Sequence, residues 1–290
     1  CKRRGIVIEG VNEPNGVLGE PGVVSCGAEG DVAGLKMLLL AGCDVNGKAK
    51  DESTALHRAS MMGHLSYVSQ LVEAGANVFA KNKTGETCLH VACQMGHFRV
   101  VEYLVKKYGK KLCMEEMSTG ATCALLACRN GRMKALKCIG EAGGKELLMK
   151  VAGSSGASCA AAAAGQGRLE VLEYLVEKCG KEILMLMVVG NMSCAYLASQ
   201  NGHIECVRFL AELGGTDLLM KVTDKGVSCA HRACEQGHLK VLRFLKEACG
   251  KDLLMKVAGD GLSCAAAAAG QGRLEVLEYL VEKCGKEILM

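Results

Sequence analysis

The stretch from Gly226 to Gly250 reads GVSCAHRACEQGHLKVLRFLKEACG and decides the fold. Ser228 is suited to a helix N-cap, because its hydroxyl can accept a hydrogen bond from an unpaired backbone N–H of the first turn. The pattern predicts a first helix of about nine residues after this serine. Gly237 ends that helix, since glycine adopts the left-handed conformation in which many helices terminate.

A second helix is predicted from His238 to the glycine at position 250. Its apolar residues recur at helical spacing, so they form one stripe that must be buried against a neighbour; they are Val241, Leu242, Leu245 and Ala248. Such a helix–turn–helix unit is too small to hold a core of its own.

The unit recurs along the chain with a serine or threonine at each start. The successive steps are 33, 35, 36, 35, 35 and 35 residues, for starts at Thr54, Thr87, Thr122, Ser158, Ser193, Ser228 and Ser263. A period in this range predicts a stacked repeat array.

The motifs Thr54-Ala-Leu-His57 and Thr87-Cys-Leu-His90 resemble the T-P-L-H-x-A motif of the ankyrin repeat. The segments Gly63-His64-Leu65 and Gly96-His97-Phe98 fit the same repeat, as does the run from Glu73 to Val78. The resemblance covers residues 17–290. It implies an all-α ankyrin-repeat solenoid of stacked helix–turn–helix units with hairpin or loop fingers. Tetratricopeptide repeats have a similar period but are disfavoured, because the chain has no tryptophan.

The domain organisation follows from the period. We expect a linker or upstream tail at 1–16. A degenerate capping repeat follows it, because Pro21 occupies the position at which the later repeats have a threonine or serine. The predicted repeats are 17–48, 49–81, 82–116, 117–152, 153–187, 188–222, 223–257 and 258–290, the last one truncated. Residues 156–185 and 261–290 differ only at Ala157 and Leu262, which indicates a copied block.

From residue 109 onward the exit of each second helix changes to G-K-E-L-L-M or a close copy, as at Gly144–Met149. Further copies begin at Gly180, Gly215, Gly250 and Gly285. Their leucines and methionines predict an extra short turn packed against the next repeat.

Composition excludes several classes of protein. The net charge is +4, from 35 basic and 31 acidic residues that are interspersed, which does not favour nucleic-acid binding. The apolar run Ile183–Val189 is far shorter than a membrane span. We expect an intracellular protein, in the cytoplasm or the nucleus, that is monomeric. The chain begins at Cys1 rather than methionine, so we expect a fragment and leave its targeting open.

Nine of the 18 cysteines fall in two columns of the repeat. Equivalent residues of stacked helices lie about 8–10 Å apart, whereas a disulfide needs Cα atoms about 4.4–6.8 Å apart. We therefore expect small, buried, reduced thiols. The first column holds Cys88, Cys123, Cys159, Cys194, Cys229 and Cys264, and the second holds Cys93, Cys128 and Cys234.

The seven histidines also fall at two repeat positions, so the repeat accounts for them without a metal. His57, His90 and His231 occupy the T-P-L-H position, where the family's histidine bonds backbone or the threonine hydroxyl. The others follow the helix-ending glycine. We expect the structural role of the first kind to be lost where another residue stands, at Leu125, Ala161, Tyr196 and Ala266.

No pattern indicates catalysis or a cofactor. Gly140–Lys145 resembles a phosphate loop weakly, but it is one residue short and Glu146 replaces the required Ser or Thr. We therefore predict no enzyme activity, no metal and no cofactor within these residues.

The resemblance implies a protein-interaction scaffold that binds protein partners on a concave face of hairpin tips and inner helices. The predicted contacts are Lys83, Glu86, Gln94, Met95, Arg129, Asn130, Gln200, Asn201, Asp224, Lys225, Glu235 and Gln236. The same mapping places Thr84, Ser118, Thr119, Met192 and Val227 at the surface, and it favours Met95, Arg129 and Glu235 as main contributors. Two alternatives stay open: the recognition arm of a larger kinase, ubiquitin ligase or acyltransferase, and a repeat array under little selection.

Overall fold

The computed structural model describes residues 14–15, 20–153 and 155–289. Within them sixteen α-helices follow one another as short and long pairs: α1 Gly22–Glu29, α2 Val32–Leu40, α3 Ala55–Met62, α4 Leu65–Glu73, α5 Cys88–Met95, α6 Phe98–Cys113, α7 Cys123–Arg129, α8 Met133–Met149, α9 Cys159–Gly165, α10 Leu169–Cys179, α11 Cys194–Gln200, α12 Ile204–Leu219, α13 Cys229–Gln236, α14 Leu239–Cys249, α15 Cys264–Gly270 and α16 Leu274–Cys284. The prediction of an all-α repeat fold is confirmed.

The two strands in the described residues are each only two residues long. Strands β1 (Pro14–Asn15) and β2 (Glu20–Pro21) form an antiparallel pair just before α1. The rest of the predicted linker 1–16 lies outside the described residues, as do the first positions of the predicted repeat that begins at 17.

Each inner helix, the odd-numbered one of a pair from α3 to α15, begins as the sequence predicts. Its N-cap is the threonine or serine of the repeat, with extended backbone. The Ser228 hydroxyl accepts the His231 N–H, which satisfies one donor of the first turn of α13. Gly237 then ends α13 with φ +80°, as expected.

The outer helices, the even-numbered members, bury the predicted apolar stripe. In α14, Val241, Leu242 and Leu245 are almost completely shielded from solvent. The side chain before α4, α6, α8, α12, α14 and α16 binds back to the previous repeat. For example, His97 Nε2 lies 2.7 Å from Met61 O, and Arg273 Nε donates to Glu235 O at 3.1 Å. These bonds link consecutive repeats at the ends of their inner helices.

The predicted extra turn is present at the end of every outer helix from α6 to α16, as the last part of α6, α8 and α12 and directly after α10, α14 and α16. Its glycine lies at φ between +57° and +87° with an extended ψ, as in Gly109 of α6 and Gly250 after α14. The leucines or isoleucines that follow are buried except for Leu289, and the 3₁₀ turn Lys181–Met185 packs against α12 as expected.

The chain divides into two compact units, Cys1–Leu148 and Met149–Met290. In the first unit, α1, α3, α5 and α7 pack side by side; in the second, α9, α11, α13 and α15 do the same. Alanine, cysteine, leucine and valine fill the space between the inner and outer helices. Small side chains allow this close approach of helices and account for a core that has few aromatic residues.

Candidate functional site

The start of each inner helix lies beside the hairpin loop of the next repeat. In α13, Ser228 N–H donates to His231 Nδ1 at 3.3 Å, and Nε2 of the same ring lies 2.9 Å from Leu262 O. Because Nδ1 accepts, the proton is on Nε2, which donates to the carbonyl. His57 makes the same bridge from Thr54 to Glu86 O, at 2.8 Å. The imidazole therefore joins one inner helix to the next loop.

Burial disfavours the charged form of these histidines. It lowers the pKa of His57 and His231, and it lowers the pKa of His90 to about 4. All three are neutral near pH 7 and serve as structural hydrogen-bonding groups.

Tyr196 replaces the histidine in α11 and makes a different connection. Its hydroxyl accepts a hydrogen bond from Arg232 Nε at 2.5 Å, and the guanidinium lies 5.6 Å from the ring centroid. Arg232 also forms an ion pair with Glu235 on the same helix. The Tyr196 phenol therefore does not make the histidine's bond to the N-cap, and it joins α11 to the next inner helix through Arg232 instead.

Apolar side chains surround this tyrosine. Val227 and Ala258 are buried with it, and the half-buried Met192, Leu197 and Leu262 pack against the group. Val227 is only 7% exposed, so its prediction as a surface residue was wrong. Ala258 and Tyr196 pack against Val227 and shield it from solvent. Glu86, which has the same position in an earlier repeat, is only half-buried. We call Tyr196, Val227, Ala258, Met192, Leu197, Leu262, Arg232 and Glu235 the Tyr196 patch.

In the first unit, the predicted contact residues differ in solvent exposure and in the hydrogen bonds that they already make. Lys83, Met95 and Arg129 are exposed. Glu86 is half-buried, and its carboxylate accepts bonds from Asn82 and Thr84 of its own loop. Half-buried Asn130 donates to Leu126 O at 2.8 Å, while Gln94 is half-buried at the end of α5.

In the second unit, exposed predicted residues are Asn201, Asp224, Lys225 and Gln236, while Gln200 and Glu235 are half-buried. The Asn201 amide donates to Gly165 O at 2.6 Å, so this side chain joins two repeats. Partner contact by the twelve residues stays a prediction.

Sequence reasoning did not select Arg232, Tyr196, Leu197 or Leu262. A partial signal was available, because Arg58 stands at the position of Arg232 in an earlier repeat and pairs with Asp51 at 3.2 Å. The contact between Tyr196 and Arg232 joins two repeats and depends on their packing.

The arrangement offers no ligand set for a metal. Within the described ranges, no cluster of three or more His, Cys, Asp or Glu side chains could hold a metal ion. The described cysteines are free thiols, and burial raises the pKa of Cys88, Cys194 and Cys229 to about 12. Protonated thiols are poor nucleophiles and poor metal ligands.

None of the helices in the described part of the chain is long and apolar enough to cross a bilayer.

Residues 24–115, 161–257 and 196–290 match the family model described as "Ankyrin repeats (3 copies)". The chain belongs to the ankyrin-repeat family. No curated protein sequence matches it. Ankyrin repeats are in general modules for protein–protein interaction, and the fold is typically non-catalytic.

Proposed function

We propose that this chain is a non-catalytic protein-interaction module that binds a protein partner on the concave face formed by hairpin loops and inner helices. The observation that carries the proposal is the Tyr196 patch. It places half-buried apolar side chains beside a guanidinium that is already oriented by a phenol and a carboxylate.

The composition of the patch suits a protein partner. Tyrosine and arginine are enriched among the residues that contribute most to interface energy. Arg232 uses its Nε and one Nη group within the chain, and a guanidinium has five N–H donors. A partner that covers Met192, Leu197 and Leu262 with an apolar side chain could therefore place a carbonyl or carboxylate on Arg232.

In the first unit, the corresponding surface has a different character. Met95 is 40% exposed at the end of α5, and Arg129 is exposed at the end of α7. An exposed flexible thioether and an exposed cation on successive inner helices are suited to contact with a partner.

The test is a quantitative pull-down with proximity labelling that uses the full chain. A triple variant, Met95→Ala, Arg129→Ala and Glu235→Ala, is compared with a control triple on the outer helices, Arg99→Ala, Lys134→Ala and Glu173→Ala. We expect a partner that the wild type and the control triple capture and the first triple loses. Circular dichroism checks that both variants are folded.

The proposal is contradicted if both triples capture the same proteins equally, because the inner-helix surface is then not the binding surface. Capture of no protein by the wild-type chain would also contradict it.

A further inference from the structure

One segment of the outer surface has a charge that the other repeats do not have. Residues 106–111 read KKYGKK and surround Gly109, the glycine of the first extra turn. The five later extra-turn glycines have glutamate three residues before them, at Glu141, Glu177, Glu212, Glu247 and Glu282. They have an acidic residue two positions after them, at Glu146, Glu182, Asp217, Asp252 and Glu287. Only this repeat carries lysine at both positions, as Lys106 and Lys111.

These lysines are exposed on α6. Lys110 pairs with Glu146 at 2.5 Å, but within the described residues Lys106, Lys107 and Lys111 have no ion-pair partner. Gly109 interrupts the helix between the two lysine pairs, so Lys110 and Lys111 stand at the start of the helical turn that follows it, where the helix dipole disfavours cations. The turn does not require this charge, because the other repeats form it with acidic residues at the positions of Lys106 and Lys111.

Aromatic side chains hold part of the cluster in place. The Lys111 ammonium lies 5.1 Å from the Phe79 ring centroid, and Lys107 Nζ lies 5.9 Å from the Tyr103 centroid. Phe79 in turn makes an edge contact with Tyr108, with centroids 6.1 Å apart. Lysines that are already ordered lose less conformational entropy when an anion binds. We call Phe79, Tyr103, Lys106, Lys107, Tyr108, Lys110 and Lys111 the α6 basic patch.

We propose that the α6 basic patch binds an acidic polypeptide segment, whose carboxylates pair with the ammonium groups of Lys106, Lys107 and Lys111. This surface lies on an outer helix, so the proposal is independent of the concave-face function.

The observations favour a polypeptide over a nucleic acid or a membrane. The faces of Phe79 and Tyr103 are already covered by lysines, so they do not offer platforms for base stacking. Within the described residues, the exposed large hydrophobic side chains all lie outside α6, so the patch has no apolar anchor for a lipid surface. The lysines of the patch lie on only six consecutive residues, which suits two or three carboxylates of a peptide.

The test uses the full chain and a fluorescein-labelled decaglutamate peptide, with decaglutamine as the uncharged peptide. The variant Lys106→Glu with Lys111→Glu restores the residue type of the other repeats, so its fold is expected to be intact. The matched control is Lys283→Glu with Lys286→Glu, which changes the net charge equally at another extra turn. Anisotropy is measured at low ionic strength and at physiological salt.

We expect the wild type and the control to bind decaglutamate, and the α6 variant to bind at least about tenfold more weakly. Binding should weaken with salt, and decaglutamine should not bind. If the variant Lys106→Glu with Lys111→Glu loses its helical circular dichroism signal, the variant Lys106→Gln with Lys111→Gln is used in its place.

Equal affinity of the two charge-reversal variants would overturn the proposal, as would absence of binding by the wild type. If single-stranded RNA or phosphatidylserine vesicles bound through the same lysines more tightly than decaglutamate does, that result would overturn the assignment of a polypeptide ligand and indicate a nucleic acid or a membrane.

Discussion

The imidazole of His238 lies against the backbone of Gly202, so that a Cβ atom on Gly202 would be 2.6 Å from His238 Nδ1. Nε2 of the same ring lies 3.0 Å from Gln200 O, two residues before this glycine. Gly202 has φ +74°. Its lack of a side chain therefore serves both the left-handed backbone and the close approach of the next repeat.

Gly202→Ala is expected to destabilise the protein by at least about 1–2 kcal/mol, because the left-handed backbone is strained for an L-residue and the methyl group displaces the His238 ring. Urea unfolding followed by circular dichroism measures the change. Gly270→Ala is the control, since a Cβ atom added to that helical glycine would meet no atom within 4 Å and its φ is not positive. This substitution should be neutral or stabilising by up to about 1 kcal/mol. Equal effects of the two substitutions would contradict this account.

Gly250→Ala tests the backbone of the extra turn alone. No atom lies near the position of its Cβ, while φ +73° with ψ −173° is a region that only glycine populates readily. We expect a loss of about 1–3 kcal/mol in the free energy of unfolding. D-alanine at position 250 should fold like the wild type, because its mirror-image preference fits this conformation.

Semisynthesis supplies that D-alanine variant, because a synthetic segment that begins at Cys249 and carries D-alanine at position 250 can be ligated to a thioester at Ala248. A D-alanine protein as unstable as the L-alanine one would show that the cost is not conformational.

Stability should fall on acidification because of the buried histidines. The pKa of His90 is about 4 in the folded protein and 6.5 when unperturbed. The unfolded state thus binds more protons between these values, and stability is present above pH 6.5 and lost as pH falls toward 4. For His90 alone the loss near pH 5 is about 2 kcal/mol.

The measurement is the free energy of unfolding across this pH window for the wild type and His90→Leu. Leucine is chosen because Leu125 stands at the equivalent position of the next repeat. The variant should show a smaller slope with pH, and an unchanged slope would contradict the assignment.

The cysteines should react slowly in the native protein and completely after unfolding. Burial raises the pKa of Cys88, Cys194 and Cys229 to about 12, so their thiolate fraction at neutral pH is very small. A colorimetric thiol assay in denaturant without reductant should find all 18 thiols. A clearly lower count would indicate disulfides and contradict the expectation of reduced thiols.

Local chemistry made much of the fold predictable. The starts of the inner helices at Thr54 and Ser228 could be placed because N-capping involves residues only three apart. The extra turn at Gly250 could be placed because its glycine and buried leucines recur at one period. Both features are encoded within a few consecutive residues.

The candidate site was less predictable because it depends on contacts between repeats. Val227 has the same repeat position as the half-buried Glu86, and only the packing of Ala258 and Tyr196 against it shows that it is buried. The hydrogen bond from Arg232 to Tyr196 joins residues 36 apart. No pattern within one repeat indicates that contact.

The hydrogen bonds from His97 to Met61 and from His238 to Gln200 connect only successive repeats. A stretching force applied within either unit would therefore be resisted by a series of similar, local links. Each repeat that unfolded would release 35 residues, or about 120 Å of extended chain. Under force, the chain should therefore lengthen in repeated steps of nearly equal size.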